Sequence, residues 1–162
     1  MPTAAELETY LHENIPLSRH MDLRVRSATP DRLELVLPLA PNVNPHGTVF
    51  GGALAATGLV GGWMLLHAAF MRAGMSVQLV GKEGRCEFLA PATHDCVATT
   101  TCESGDLDAL LARVVERGRA RQELLTIIRV GEVEVARHHG VYTALPAHGA
   151  APIPLPSRKS VA

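Results

Sequence analysis

The sequence predicts an α+β domain in which a curved antiparallel sheet wraps around one long central helix. Three observations point there. No Asp, Glu, Lys or Arg occurs from Leu35 to Met71. Within that stretch, Leu59, Trp63, Leu66 and Phe70 recur at helical spacing, so a helix apolar on nearly every side spans residues 52–72. On both sides of it the apolar residues switch to a period of two, the signature of half-buried strands.

The elements follow in order. Residues 4–13 form a short amphipathic helix, with Leu7, Tyr10 and Leu11 on one face and Pro16 just beyond. Residues 21–27 and 32–37 alternate around the turn Thr29-Pro30-Asp31 and read as a hairpin. A loop rich in Pro and Asn, residues 41–48, leads into the long helix. After the helix, residues 77–89 and 96–103 read as long strands joined around Pro91. A short helix over residues 106–115 precedes two more strands, 119–130 and 132–144, which turn at Gly131. The domain is expected to span residues 1–144. The remainder, 145–162, contains four prolines and is expected to be a flexible extension.

Composition narrows the function. A chain of 162 residues with 47% hydrophobic and 19% charged residues is globular, and the net charge of −1 gives no basic surface for nucleic acid or anionic lipid. Cys86, Cys96 and Cys102 are odd in number and form no C-x-x-C pair, which suits buried thiols in a reducing compartment. The acidic first residues lack the basic and apolar regions of a signal peptide, so a cytoplasmic protein is expected. The long helix has the length of a membrane span, but it carries His67 and four glycines and sits among alternating strands, so no membrane is expected. No metal or cofactor motif is present.

The run from Asn42 to Ala55, Asn-Val-Asn-Pro-His-Gly-Thr-Val-Phe-Gly-Gly-Ala-Leu-Ala, resembles the loop-to-helix junction of hotdog-fold thioesterases. More narrowly, the chain is similar to a thioesterase family of the YiiD C-terminal type, found alone or fused behind a GNAT acetyltransferase domain. That family is related in fold to the 4-hydroxybenzoyl-CoA and PaaI-like thioesterases. Asn42, Gly47, Thr48, Phe50, Gly51, Gly52 and Trp63 match its pattern, and the resemblance covers residues 5–144. It implies hydrolysis of acyl thioesters carried by coenzyme A or by an acyl-carrier protein. Many hotdog thioesterases also carry an Asp or Glu about two turns into the helix. The corresponding positions here are Ala55 or Leu59, and the helix holds no carboxylate.

Hydrolysis needs a polarised carbonyl, a water and a base. The N-terminus of a helix offers unpaired N–H groups and a positive dipole end, and glycine permits close approach. Gly47, Gly51 and Gly52 are therefore candidate oxyanion-side groups, His46 the candidate base, and Thr48, Asn42 and Asn44 candidate water or thioester partners. For the two asparagines, turn chemistry is the commoner role. Glu83, with Arg85 and Glu87 on the same strand, is a candidate to complete the site across a subunit boundary. Arg117, Arg119 and Arg121 at period two are candidate phosphate contacts, or a solvent-facing strand edge. A helix this apolar exceeds what one sheet covers, and its small-residue stripe, Ala55, Gly58 and Gly62, invites another backbone, so a dimer or tetramer is expected. An apolar tunnel beside Trp63 is the expected place for the acyl group.

Overall fold

Thr3 opens the first helix, α1 (Ala4–Asn14): its hydroxyl accepts from the Glu6 N–H, and the Glu6 carboxylate reaches back to the Thr3 N–H. Leu7 and Leu11 are its buried face. Pro16 does more than end this helix. It is the first residue of a second one, α2 (Pro16–His20), where proline's missing N–H costs nothing. The computed structural model describes residues 2–147.

β1 (Arg24–Ala28) and β2 (Arg32–Leu37) form the expected hairpin, and a one-turn 3-10 helix (Ala40–Asn42) follows. Then come α3 (Gly51–Arg72), β3 (Val77–Phe88), β4 (Cys96–Thr101), α4 (Ser104–Arg117), β5 (Ala120–Val130) and β6 (Val133–Pro146). The six strands make one antiparallel sheet in the order β1-β2-β4-β5-β6-β3. It wraps α3 in the hotdog arrangement.

Two features go beyond the sequence expectation. Although β3 and β4 are consecutive around Pro91, they are not neighbours. β3 pairs with β6 from Val77↔Pro146 to Phe88↔Ala136 and forms the far edge of the sheet. The 14-residue β6 offers β3 a ladder that the six-residue β4 cannot match. Second, β6 runs past residue 144: Leu145 pairs with Gln78 and Pro146 with Val77. A proline fits as the last residue of a strand, where no further ladder donor is needed. The expected tail from residue 148 onward lies outside the described residues.

α3 meets the sheet through glycine. A Cβ on Gly58 would sit 2.3 Å from the Cβ of His138, and one on Gly62 would sit 2.3 Å from the Tyr142 hydroxyl. Bare backbone at these positions lets sheet side chains reach the helix itself. Tyr142 donates to the Leu59 carbonyl (2.9 Å) and Thr126 to the Gly58 carbonyl (3.1 Å). Gly58 and Gly62 of the small-residue stripe therefore serve the helix–sheet contact within one chain. The hydropathy and length that would suit a membrane span belong to a helix mostly buried in its own fold.

Candidate functional site

The site candidates gather where the 3-10 turn and its loop deliver the chain into α3. Asn42 is buried, and its side-chain amide donates to the carbonyls of Met21 and Pro38, both at 2.8 Å. It ties the loop to the end of α2. Its own backbone carbonyl accepts from the Phe50 N–H at 2.7 Å, which fixes the entrance to α3. Asn44 is also taken up by the turn. Its Oδ1 accepts from the N–H groups of His46 (2.9 Å) and Thr48 (3.3 Å), and its Nδ2 donates to the Thr48 hydroxyl (2.9 Å). Asn42, Asn44 and Thr48 thus hold backbone, the turn role that asparagine most often takes. Gly47 sits at φ +75°, a conformation that favours glycine. His46 is exposed, and among the described residues its ring makes no hydrogen bond.

α3 begins without a side-chain cap. Phe50 N–H is used by Asn42, and the N–H groups of Ala53 and Leu54 turn back to the Phe50 carbonyl. Among the described residues, the N–H groups of Gly51 and Gly52 have no protein acceptor, so the positive end of a 22-residue helix presents two unpaired donors. Both glycines have a steric role that the sequence does not reveal. A Cβ on Gly52 would meet the Phe50 ring at 2.2 Å, and one on Gly51 would meet the Phe88 ring at 3.3 Å. The rings themselves stay 58% and 57% exposed. Phe50 and Phe88 are the site residues missed from sequence. The signal was there, in two aromatic residues beside a glycine pair and at a strand end, but only the fold brings Phe88 to the helix start.

β3 runs antiparallel to α3, from Phe88 beside Gly51 to Leu79, whose carbonyl accepts from Trp63 Nε1 at 2.9 Å. Phe88 and Gly84 face the helix side, because Gly84 lies against the His138 ring. Alternation sends Glu83, Arg85 and Glu87 to the opposite face, where Arg85 and Glu87 pair at 2.9 Å. Within one chain, Glu83 and Arg85 do not join the loop cluster. Arg117, Arg119 and Arg121 form no row either. Arg117 ends α4, Gly118 closes that helix at φ +69°, and Arg121 pairs with Glu123 at 3.0 Å.

Of the two positions that correspond to the helix carboxylate, Ala55 is half-buried and Leu59 is part-exposed and packed over Gly81. The ionisable groups that reach this stretch of α3 are Tyr142 and His138, which is only 3% exposed. Burial holds the His138 pKa below its ordinary value, and neighbouring His139 lowers it further. Burial pushes the Tyr142 hydroxyl upward. The space beside Trp63 is filled: its indole stacks on His67 at 5.1 Å between ring centroids, and His67 stacks on Tyr10 at 4.1 Å. A cavity of about 350 Å3 borders the Tyr10 and His67 end of this stack, toward the end of α3, and Trp63 does not line it.

An apolar groove of about 500 Å3 lies on the other side of the helix start, between α2, the loop and the first turns of α3. A larger concavity of about 650 Å3 lies between α1 and the end of α3, bordered by Glu6, Glu13 and Arg72 and away from the glycine junction.

The family described as "Putative thioesterase (yiiD_Cterm)" matches residues 4–146, and the chain belongs to it. Among solved structures, a protein of unknown function from Chlorobaculum tepidum TLS superposes with a TM-score of 0.83 at 23% identity, over 89% of this chain and 94% of that one. A "putative thioesterase" from Shewanella oneidensis gives 0.76 at 24%, over 88% and 97%. A Pseudomonas aeruginosa protein of unknown function, described as a "Probable Thioesterase", gives 0.76 at 26%, over 91% and 99%. These likenesses establish the hotdog fold, and membership of the family supports thioester hydrolysis as the general activity.

Proposed function

We propose that this protein hydrolyses acyl thioesters, with coenzyme A or an acyl-carrier protein as leaving group, at the start of α3. The observation that carries this reading is the pair of unpaired N–H donors on Gly51 and Gly52, at the uncapped end of a long helix. There the thioester oxygen gains stabilisation as it becomes an oxyanion, and one such donor is worth about 2.7–4 kcal/mol. Water attacks the carbonyl carbon, the proton passes to a base, and the thiolate leaves. Of the loop candidates, His46 alone has an ionisable side chain not spent on the turn, so it is the base.

The active form is a dimer or a dimer of dimers. Its support is β3, a 12-residue strand whose outer edge pairs with no other strand among the described residues and whose side chains are mostly exposed. Such an edge invites pairing with a second chain. Glu83 and Glu87 lie along this edge, and a partner could supply one of them to a site from which one chain alone keeps them. The free thiols of Cys86, Cys96 and Cys102 favour a reducing, cytoplasmic setting.

Thiol release from a panel of acyl-CoAs and acyl-carrier proteins, with sedimentation in parallel, tests this. Turnover by an oligomer supports the reading. A folded chain that binds the thioesters without releasing thiol favours the alternative, a non-catalytic hotdog module, for which the absence of a helix carboxylate speaks. A 17.3 kDa species alone at micromolar concentration ends the dimer.

A further inference from the structure

We infer that the groove between α2, the loop and the start of α3 is the acyl-chain seat, and that it takes an aliphatic acyl group. The inference rests on the thioesterase reading and names where its substrate lies. Its basis is the convergence of exposed apolar side chains on one place. Leu17 is 58% exposed, Val43 52% and Phe50 58%, and all three line this groove. They come from α2, the loop and the residue that opens α3. Unpartnered apolar surface that converges on a concavity marks a binding site.

The chemistry of the lining selects the occupant. No carboxylate, lysine or arginine lines the groove, and His20 is its only ionisable side chain, so nothing there recognises an anion. The floor on α3 is Gly52, Ala53 and Ala56, whose small side chains leave room against the helix for an aliphatic chain. The volume of about 500 Å3 is of small-ligand size. Gly52 both lines the groove and carries one of the two unpaired helix-start N–H groups. A ligand that fits is therefore apolar along its length and ends in a carbonyl at Gly52. The Phe50 ring, seated on Gly52, stands where chain and carbonyl meet. The other side of the helix does not provide this: there Tyr10, His67 and Trp63 stack and Leu59 covers Gly81.

The test is binding of S-alkyl-CoA thioethers of increasing chain length, which cannot be hydrolysed, measured by titration calorimetry. The full-length protein is expected to gain about fourfold in affinity per methylene, which is about 0.8 kcal/mol per buried CH2, until the groove is full. Ala56→Phe, which fills the floor, should flatten that dependence and leave the affinity for coenzyme A itself unchanged. Leu17→Glu, at an exposed position where folding is not at stake, should do the same. Wild-type chain-length dependence in both folded variants overturns the inference, as does wild-type affinity that ignores chain length. So does a Leu17→Glu variant that keeps the dependence but shifts oligomeric state, since the groove is then an interface between copies. If turnover persists in these cases, the thioesterase reading survives without this seat. If the wild-type protein neither binds thioethers nor releases thiol, that reading falls as well.

Discussion

Glycine serves α3 in two ways, and the start and the middle of the helix separate them. In the middle, Gly58 and Gly62 admit His138 and Tyr142 against the helix, and the hydroxyls of Thr126 and Tyr142 bond to helix carbonyls. Both glycines, His138, Thr126 and Tyr142 are buried there. At the start, Gly51 and Gly52 seat two rings that remain more than half exposed, and their N–H groups stay unpaired. The same residue type closes a core in one place and opens a site in the other. What differs is the neighbour that fills the room of the missing Cβ: a side chain buried beneath the helix, or a ring more than half exposed to solvent.

The largest expected effect falls just ahead of the helix start. His46→Ala should lower kcat by about 10²–10⁴, the range for loss of a general base. Because the ring is exposed and makes no protein hydrogen bond among the described residues, the melting temperature should hold. Retained kcat would remove His46 from the mechanism and leave Glu83→Ala and Glu87→Ala as the next variants to assay.

Gly52→Ala comes next. The new Cβ displaces the Phe50 ring, which has solvent to turn into, so stability should change little. Steady-state kinetics should show kcat/KM lower by about 10- to 100-fold as the carbonyl seat is crowded, within what one oxyanion donor is worth. Gly58→Ala should do the reverse. Alanine gains up to about 1 kcal/mol in helix propensity, but the Cβ of His138 cannot move away, and overpacking costs about 1–3 kcal/mol. The melting temperature should fall by about 2–8 °C for a net loss of about 1–2 kcal/mol, with kcat per folded molecule kept. A Gly52→Ala melting temperature that drops as far as that of Gly58→Ala would erase the distinction between the two regions.

The smallest effect sharpens the buried side. Burial lowers the pKa of both His138 and His67 below the ordinary 6.5. The unfolded chain therefore takes up protons first as pH falls. Stability is full above about pH 6.5, declines as pH drops from there to the folded-state values, and levels off below them. Urea denaturation between about pH 7 and pH 5 should show this decline, and His138→Gln should make it shallower. Because α3, Cys86 on β3 and Thr126 on β5 offer His138 no carboxylate, nothing beside it opposes the shift. An unchanged pH dependence in His138→Gln would assign the decline to His67 or to other groups.

The sequence by itself determined α1, α3, α4 and the six strands. The uncharged run marked α3 to within one residue of its start, and the period-two runs marked six strands, because periodicity and turn chemistry are local properties of a chain. The loop-to-helix motif pointed to the right junction for the same reason: Asn44, Gly47 and Thr48 bond mainly within a few residues of one another. Only the tertiary structure decided which strands are neighbours, since β3 takes its partner from β6, more than 40 positions away in sequence, in place of β4 beside it. It also decided what each glycine faces. His138, Tyr142 and Phe88 are distant in sequence from the glycines they fill, and no pattern within α3 records which of them arrives. It turned Glu83 and Arg85 away from the loop through strand alternation. The groove was illegible for the same reason, its walls coming from α2, the loop and α3, with Pro16 read as a helix stop although it starts α2. A sequence specifies its local bonds directly, but it specifies what occupies a space only through the packing of segments that meet after the chain has folded.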